Sequence, residues 1–182
     1  QLIFYDLLQN DELYKKIKSK IKYIMVDEYQ DTNYIQEQIL LKLANPENNI
    51  CVVGDEDQSL YRFRGATVRN ILEFPKHFDN CQQVKLTINY RSHKDIIEKY
   101  NKFITSINWN GYRYPKTILP NPDAEFPEYP AVFCIWGKGE KDESKRLVDL
   151  LKFLKDNKVI EDWSDVSLLL KSVKPEYSAH YI

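Results

Sequence analysis

The chain has 182 residues, of which 43% are apolar and 29% charged, with a formal net charge of −1; this is the composition of an ordinary soluble protein with material for one good core or two small ones. No apolar run approaches the ~18 residues of a membrane span, and no charged-then-apolar leader opens the chain, so a cytoplasmic location is expected. Near-neutral charge excludes a global basic field, and any nucleic-acid binding has to be local, in a cleft.

Residues 5–20, YDLLQNDELYKKIKSK, place Leu7, Leu8, Leu13, Tyr14 and Ile17 at helical spacing and end in lysines, which suit the carbonyl end of a helix. This helix is expected to lie on a sheet that begins at the next apolar run. Ile24-Met25-Val26 and Ile50-Cys51-Val52-Val53 are short runs that end in carboxylates, as buried parallel strands do when a polar site sits at their C-terminal edge. Between them Asp31-Thr32-Asn33 supplies capping side chains, Ile35, Ile39, Leu40 and Leu43 form the apolar face of a helix, and Asn45-Pro46 closes it. The result is a βαβ unit with an expected right-handed crossover.

Asp27 and Glu28 therefore emerge side by side at a strand tip. Such a pair serves either as a solvated strand end or as the acidic site of a nucleoside-triphosphate hydrolase. After Gly54 come three adjacent acids, Asp55, Glu56 and Asp57, then Gln58. Three neighbouring carboxylates repel one another, so they point into water or are held by a metal or a hydrogen-bond network. In Tyr61-Arg62-Phe63-Arg64-Gly65 aromatic and basic residues alternate. Aromatic faces stack on unpaired bases for ~1–3 kcal/mol each while arginines hold phosphates; an edge strand with its rings packed inward fits the pattern equally.

Val68, Ile71 and Leu72 mark a short helix over 67–74, stopped by Pro75. Val84, Leu86 and Ile88 alternate as a strand should, leading into Tyr90-Arg91, and Ser92 is placed to cap a helix whose stripe, Ile96, Ile97, Tyr100, Phe103, Ile104 and Ile107, reads as core. Residues 108–130, rich in proline and asparagine, read as a loop without chemistry of its own. Ala131–Trp136 reads as a strand, Leu147, Leu150, Leu151 and Leu154 as a helix face, and Val166–Leu170 as a buried strand, a second parallel sheet starting near residue 87. Gly137-Lys138-Gly139 lacks the frame of a phosphate loop. Cys51, Cys81 and Cys134 share no ligand spacing and read as buried thiols; His77, His93 and His180 form no metal pattern and read as surface residues.

DEYQDTN at 27–33, VVGDEDQSLYRFRGA at 52–66 and LTINYRS at 86–92, in this order and spacing, resemble motifs II, III and IV of the UvrD/Rep/PcrA-type superfamily 1 DNA helicases. The similarity runs from about Tyr5 to Arg91, with a weaker likeness of pattern to Ser172. It implies an α/β fold of two partial RecA-like parallel-sheet domains of the P-loop NTPase type, 1–86 being the C-terminal part of the first and 87–182 the N-terminal part of the second. It also implies ATP and Mg2+ as cofactors, single-stranded DNA or a duplex/single-strand junction as partner, and 3′ to 5′ movement.

Residue by residue, the resemblance implies that Asp27 binds Mg2+ and Glu28 is the general base. Asp55 and Gln58 line the nucleotide cleft, with Gln58 sensing the γ-phosphate. Tyr90 stacks on adenine, and Arg91 reaches the γ-phosphate as an arginine finger, although capping or a surface ion pair is its plainer alternative. Tyr61, Phe63 and Arg64 contact single-stranded DNA; Phe63 stands where the family usually has tryptophan, so stacking is expected to be weaker. Gln30 and Gln36 match polar positions of the motif. The 182 residues contain no GxxxxGK[ST] and none of the family's later motifs, so the expectation is a middle piece of a larger helicase, inactive in ATP hydrolysis by itself. A different expectation is a non-catalytic interaction module of a helicase–nuclease or defence complex. An RNA helicase fits the QDTN and YRFRG segments less well.

Overall fold

A break at Asn10 splits the first helical segment in the computed structural model, which describes residues 1–126 and 131–170. Helices α1 (Leu2–Leu7) and α2 (Asp11–Lys18) replace the single helix expected, because the Asn10 side chain accepts from the Glu12 and Leu13 amides at 3.1 and 3.0 Å and starts a new helix. Strand β1 (Ile24–Val26), helix α3 (Tyr34–Ala44) and strand β2 (Ile50–Val52) follow as the expected βαβ unit. Asn33 caps α3 reciprocally with Gln36, each side chain accepting from the other's backbone amide. At the other end of α3, Lys18 donates to the Leu43 carbonyl at 2.6 Å and pairs with Glu47 at 2.7 Å, which satisfies a helix end with a cation.

β1 and β2 pair in parallel, Ile24 with Ile50, Met25 with Cys51 and Val26 with Val52. Met25 and Cys51 share a face that is open, while their neighbours are half-buried. Among the described residues one face of this sheet is left open, so Cys51 is exposed; Cys134, elsewhere in the chain, is exposed too, and Cys81 is half-buried. The expected buried thiols are corrected accordingly. The segment 82–86 pairs with no described strand, and a cavity of about 1030 Å3, lined by Val52, Gly54, Phe74, Val84 and Leu86 among others, includes both it and β2 in its walls. Val84 and Leu86 are consequently exposed, and the strand expected there shrinks.

The chain continues through α4 (Arg69–Glu73), which runs into a 3-10 turn over Phe74–His77 instead of stopping at Pro75. Strand β3 (Ile88–Asn89) then precedes α5 (Lys94–Thr105), whose cap is His93 rather than Ser92: the His93 ring nitrogen accepts from the Asp95 amide. Ile97 and Ile104 are its buried residues, while Ile96, Phe103 and Ile107 are exposed, so the expected core stripe is narrower. Strand β4 (Leu119–Pro120) pairs in parallel with β3 and lies inside the stretch read as loop. The Asn101 side chain holds it by donating to the Ile118 carbonyl at 2.8 Å and accepting from the Ile118 amide at 3.1 Å. The second parallel pair thus begins near residue 87 as expected, with a partner strand the proline content concealed.

The chain divides into two units, Gln1–Pro127 and Glu128–Ile182. In the second, helix α6 (Glu140–Asp156) keeps Leu147, Leu150, Leu151 and Leu154 half-buried, with Arg146 over the Trp136 ring at 5.2 Å and Lys155 over Trp163 at 5.4 Å. Residues 131–136 and 166–170 are not strands, and Leu169 is almost fully exposed: a short apolar run becomes a strand only when a neighbour supplies its hydrogen bonds, and none among the described residues does. Among the described residues no helix is long and apolar enough to cross a membrane. His180 lies outside them.

The core of the first unit gathers Tyr29, Leu8, Leu43, Ala44, Ala66 and Phe74, with Tyr29 and Phe74 edge to face at 5.2 Å. Glu37 is buried among them, its carboxylate 3.4 Å from the Tyr29 hydroxyl that donates to it and 3.7 Å from His77. Burial pushes this carboxyl above the usual range, and His77 and Tyr29 only partly offset it. The folded state therefore holds the proton more tightly than the unfolded chain, and stability is lost as pH rises from the ordinary glutamate value through the raised one. Glu37→Gln keeps an acceptor for Tyr29 and removes the charge. It is expected to raise the thermal midpoint at pH 8 by roughly 2–4 °C, with no gain at pH 4; an equal shift at both pH values would exclude charge burial as the cause.

Candidate functional site

Where β1 ends, Glu28 adopts a left-handed backbone, φ 50°, at a local cost of about 1 kcal/mol. That turn reverses the chain at the strand tip and leaves Asp27 and Glu28 exposed. The Asp27 carboxylate accepts from the Glu28 amide at 2.9 Å. The parallel register brings the end of β2 alongside, with the Val53 amide donating to Val26 and the Tyr29 amide donating to Val53. Gln30, one of the polar residues of the motif, is buried in this junction: its amide donates to Glu28 at 2.6 Å and its carbonyl accepts from the Asp55 amide at 3.0 Å.

The three acids do not point into water. Lys116 contacts Asp55 at 2.6 Å, Glu56 at 2.9 Å and Asp57 at 3.3 Å. Arg113 pairs with Asp57 at 2.7 Å, the Tyr100 hydroxyl donates to Asp57 at 2.5 Å, and the Tyr114 amide donates to Glu56 at 3.0 Å. Asp55 uses its remaining oxygen to accept from the Gln58 side chain at 2.9 Å. Of the possibilities open from sequence, the hydrogen-bond network is the one realised, and among the described residues no group of three or more histidine, cysteine or acidic side chains is placed to hold a metal.

The electrostatics follow from that packing. Burial would raise the Asp57 carboxyl, but hydrogen bonds from Arg113 and Tyr100 and the nearby Lys116 ammonium outweigh it and hold it below the usual range. Burial, then the Asp57 hydrogen bond and charge, push the Tyr100 hydroxyl up to about 12. Burial opposes the Lys116 charge, yet the bonds to Asp55 and Glu56 leave its ammonium above the ordinary value. Tyr100, Arg113 and Lys116 were not foreseen: the signal was the uncompensated acid triplet itself, which requires cations, but spacing does not select two from the chain's 26 lysines and arginines.

Phe63 and Arg64 lie on a 3-10 turn, Arg62–Arg64, that Tyr61 precedes and that ends at Gly65, whose φ of 85° suits glycine. They are exposed, with the Arg64 guanidinium 4.9 Å from the Tyr61 ring centre and 5.5 Å from that of Phe63. The edge-strand alternative with inward rings is thereby excluded. The turn is tied back at Ala66, which bridges Asn33, and at Thr67, whose amide donates to Thr32.

Tyr90 and Arg91 are exposed just after β3, on a backbone held by Asn89, whose side chain accepts from the Arg91 and Ser92 amides at 2.8 Å each. Among the described residues no hydrogen bond or ion pair joins either side chain to the acids, and Arg91 forms no ion pair there. Direct contacts thus gather Glu28, Gln30, Asp55 and Gln58, with Asp27 beside Glu28; Tyr90 and Arg91 stand apart from that set.

Two parallel strand pairs, carboxylates at the strand tips and a neighbouring exposed turn of aromatic rings and arginine define an α/β protein with a polar site along its strand ends. Residues 1–79 match the UvrD/REP helicase N-terminal domain. Over 166 residues the chain is 34% identical to the ATP-dependent DNA helicase Rep of Buchnera aphidicola subsp. Schizaphis graminum, covering 91% of this chain and 24% of that protein. It is 44% identical over 112 residues to the ATP-dependent DNA helicase PcrA of Bacillus subtilis, covering 62% of this chain and 15% of PcrA. A probable DNA helicase II homolog of Rickettsia conorii is 37% identical over 152 residues, 83% of this chain and 22% of that protein. The chain belongs to the UvrD/Rep/PcrA-type helicase family. It spans about a quarter or less of the length of these relatives.

Proposed function

We propose that the chain is the central part of an ATP-dependent DNA helicase that couples hydrolysis of Mg-ATP to 3′ to 5′ movement on single-stranded DNA or at a duplex/single-strand junction. In this reading 1–86 completes one RecA-like motor domain and 87–182 begins the second. The acid cluster, in which 55–57 meet Tyr100, Arg113 and Lys116, then spans the two. The observation that carries the reading is the direct hydrogen bonding of Glu28 through Gln30 to the Asp55–Gln58 loop, which continues into the exposed Tyr61–Arg64 turn.

Asp27, an exposed carboxylate at the strand tip, fits Mg2+, which takes one or two carboxylates and completes its shell with phosphate oxygens and water. Mg2+ when bound supplies charge neutralisation at the phosphates. Glu28 takes the proton of the attacking water, and Gln58, held by Asp55, reports the state of the γ-phosphate to the turn that follows. Exposed Tyr90 offers a ring for adenine, and Arg91 a permanent charge for the transition state. Without a phosphate-binding loop in these 182 residues, the chain by itself turns over no ATP.

Single-stranded DNA is expected to stimulate ATP hydrolysis by the full-length protein. Phe63→Ala, which removes one stacking face worth ~1–3 kcal/mol, is expected to weaken single-strand binding by about tenfold or more and to raise the DNA concentration needed for stimulation, with DNA-free turnover unchanged. Titration of a fluorescent oligonucleotide measures the first effect. Unaltered affinity would remove Phe63 from the DNA contact.

A further inference from the structure

Gln30 is 1% exposed, though it is a polar side chain at the edge of an open site. Its amide bonds two neighbours, donating through Nε2 to a Glu28 carboxylate oxygen at 2.6 Å and accepting through Oε1 from the Asp55 amide at 3.0 Å. Only one orientation of the amide works, since the carboxylate solely accepts and the backbone amide solely donates. Asp55 continues the chain of bonds to Gln58 and Lys116.

Room for this bridge is made by the backbone of the neighbouring strand end. A Cβ placed on Gly54 would lie 2.5 Å from Gln30 Oε1 and 2.7 Å from Ile71 Cδ1, so that the bridging amide or the isoleucine would have to move. The glycine is needed here for close approach, not for turn conformation. Glu28, by contrast, is exposed and carried on a left-handed turn, so its backbone alone does not hold the carboxylate in one place.

We infer that Gln30 is a positioning residue for Glu28: buried between the two strand tips, it fixes the carboxylate and ties its orientation to the Asp55–Gln58 loop, so that a shift of either is felt by the other. The inference rests on the proposed role of Glu28 as general base. Replacing the bridge by an apolar side chain of similar length leaves Glu28 chemically intact but free to swing, and loss of orientation of this kind lowers turnover by about 10- to 100-fold.

The test uses Gln30→Met in the full-length protein, compared with Glu28→Gln and with Gln30→Glu, which keeps the acceptor for Asp55 but sets a second carboxylate against Glu28. Amide exchange at Asp55, resolved by mass spectrometry with backbone fragmentation, is expected to speed up at least tenfold in Gln30→Met and to stay near wild type in Gln30→Glu, while exchange at Ile97 and Ile104 is unchanged in both. Both Gln30 variants are expected to lose kcat for ATP with KM retained. Unchanged Asp55 exchange in Gln30→Met would overturn the bridge. Faster Asp55 exchange with full kcat, alongside an inactive Glu28→Gln, would overturn the positioning role and leave the proposed function standing. An active Glu28→Gln would overturn the assignment of the base and this inference with it.

Discussion

Glu28→Gln in the full-length protein is expected to bind nucleotide and single-stranded DNA as the wild type does and to lose ATP turnover by about 10²- to 10⁴-fold, the range that a positioned general base contributes. The substitution is nearly isosteric. A carboxamide oxygen at position 28 still accepts from the Gln30 amide, so the bond seen at 2.6 Å has a substitute and the strand-tip junction is kept. What is removed is the capacity to take a proton from water. Single-turnover hydrolysis, measured beside equilibrium binding of a fluorescent nucleotide, separates the two effects. Retained turnover would refute the role of Glu28; lost binding would show that the change disturbed the site and not only its chemistry.

Asp57→Asn is expected to be the largest single loss of stability in the first unit, about 3 kcal/mol or roughly 10 °C in thermal midpoint. Asp57 is buried where Arg113, Lys116 and Tyr100 converge. Taking one partner from a buried ion group leaves the remaining charges uncompensated, which costs more than the intact pair contributes. Asp55 and Glu56 still accompany Lys116, which holds the effect at the low end of the range for buried pairs. The Asp57 carboxyl is held below its ordinary value, so its contribution is present above the unfolded-state value near 4 and disappears as pH falls through the depressed folded value. The gap between wild type and variant should accordingly be full at pH 7 and close in strong acid. An Arg113→Met change added to Asp57→Asn should cost less than the two changes separately, because they share one interaction. Additive losses would mean that the two side chains do not act together.

How much of this was legible beforehand varies by element for physical reasons. Asp27, Glu28 and the β1–α3–β2 unit could be read because strand tips, caps and helix faces are set by neighbours within a few residues, as the Asn33–Gln36 capping box illustrates. The aromatic and basic turn was legible in composition but not in form: alternation left an exposed stacking segment and an inward-packed edge strand equally open, and Gly65 and the tie at Ala66 make a 3-10 turn with both rings outward. The second parallel pair was expected at the right place, but β4 was hidden in a proline-rich stretch, because two ladder pairs suffice for so short a strand. Cys51 misled in the other direction. An apolar run signals a strand, but whether both faces are covered depends on layers far away in the chain.

By itself the sequence determined the family and the acidic strand tips, since these rest on side-chain type and local spacing. Only the tertiary structure decided how the acid triplet is neutralised and which side chain bonds to Glu28. Both depend on partners distant along the chain, Arg113 and Lys116 for the acids and Asp55 across the strand ends for Gln30. Electrostatic and hydrogen-bond energies act over a few ångströms of space whatever the separation in sequence, so those partners are chosen by folding and not by spacing.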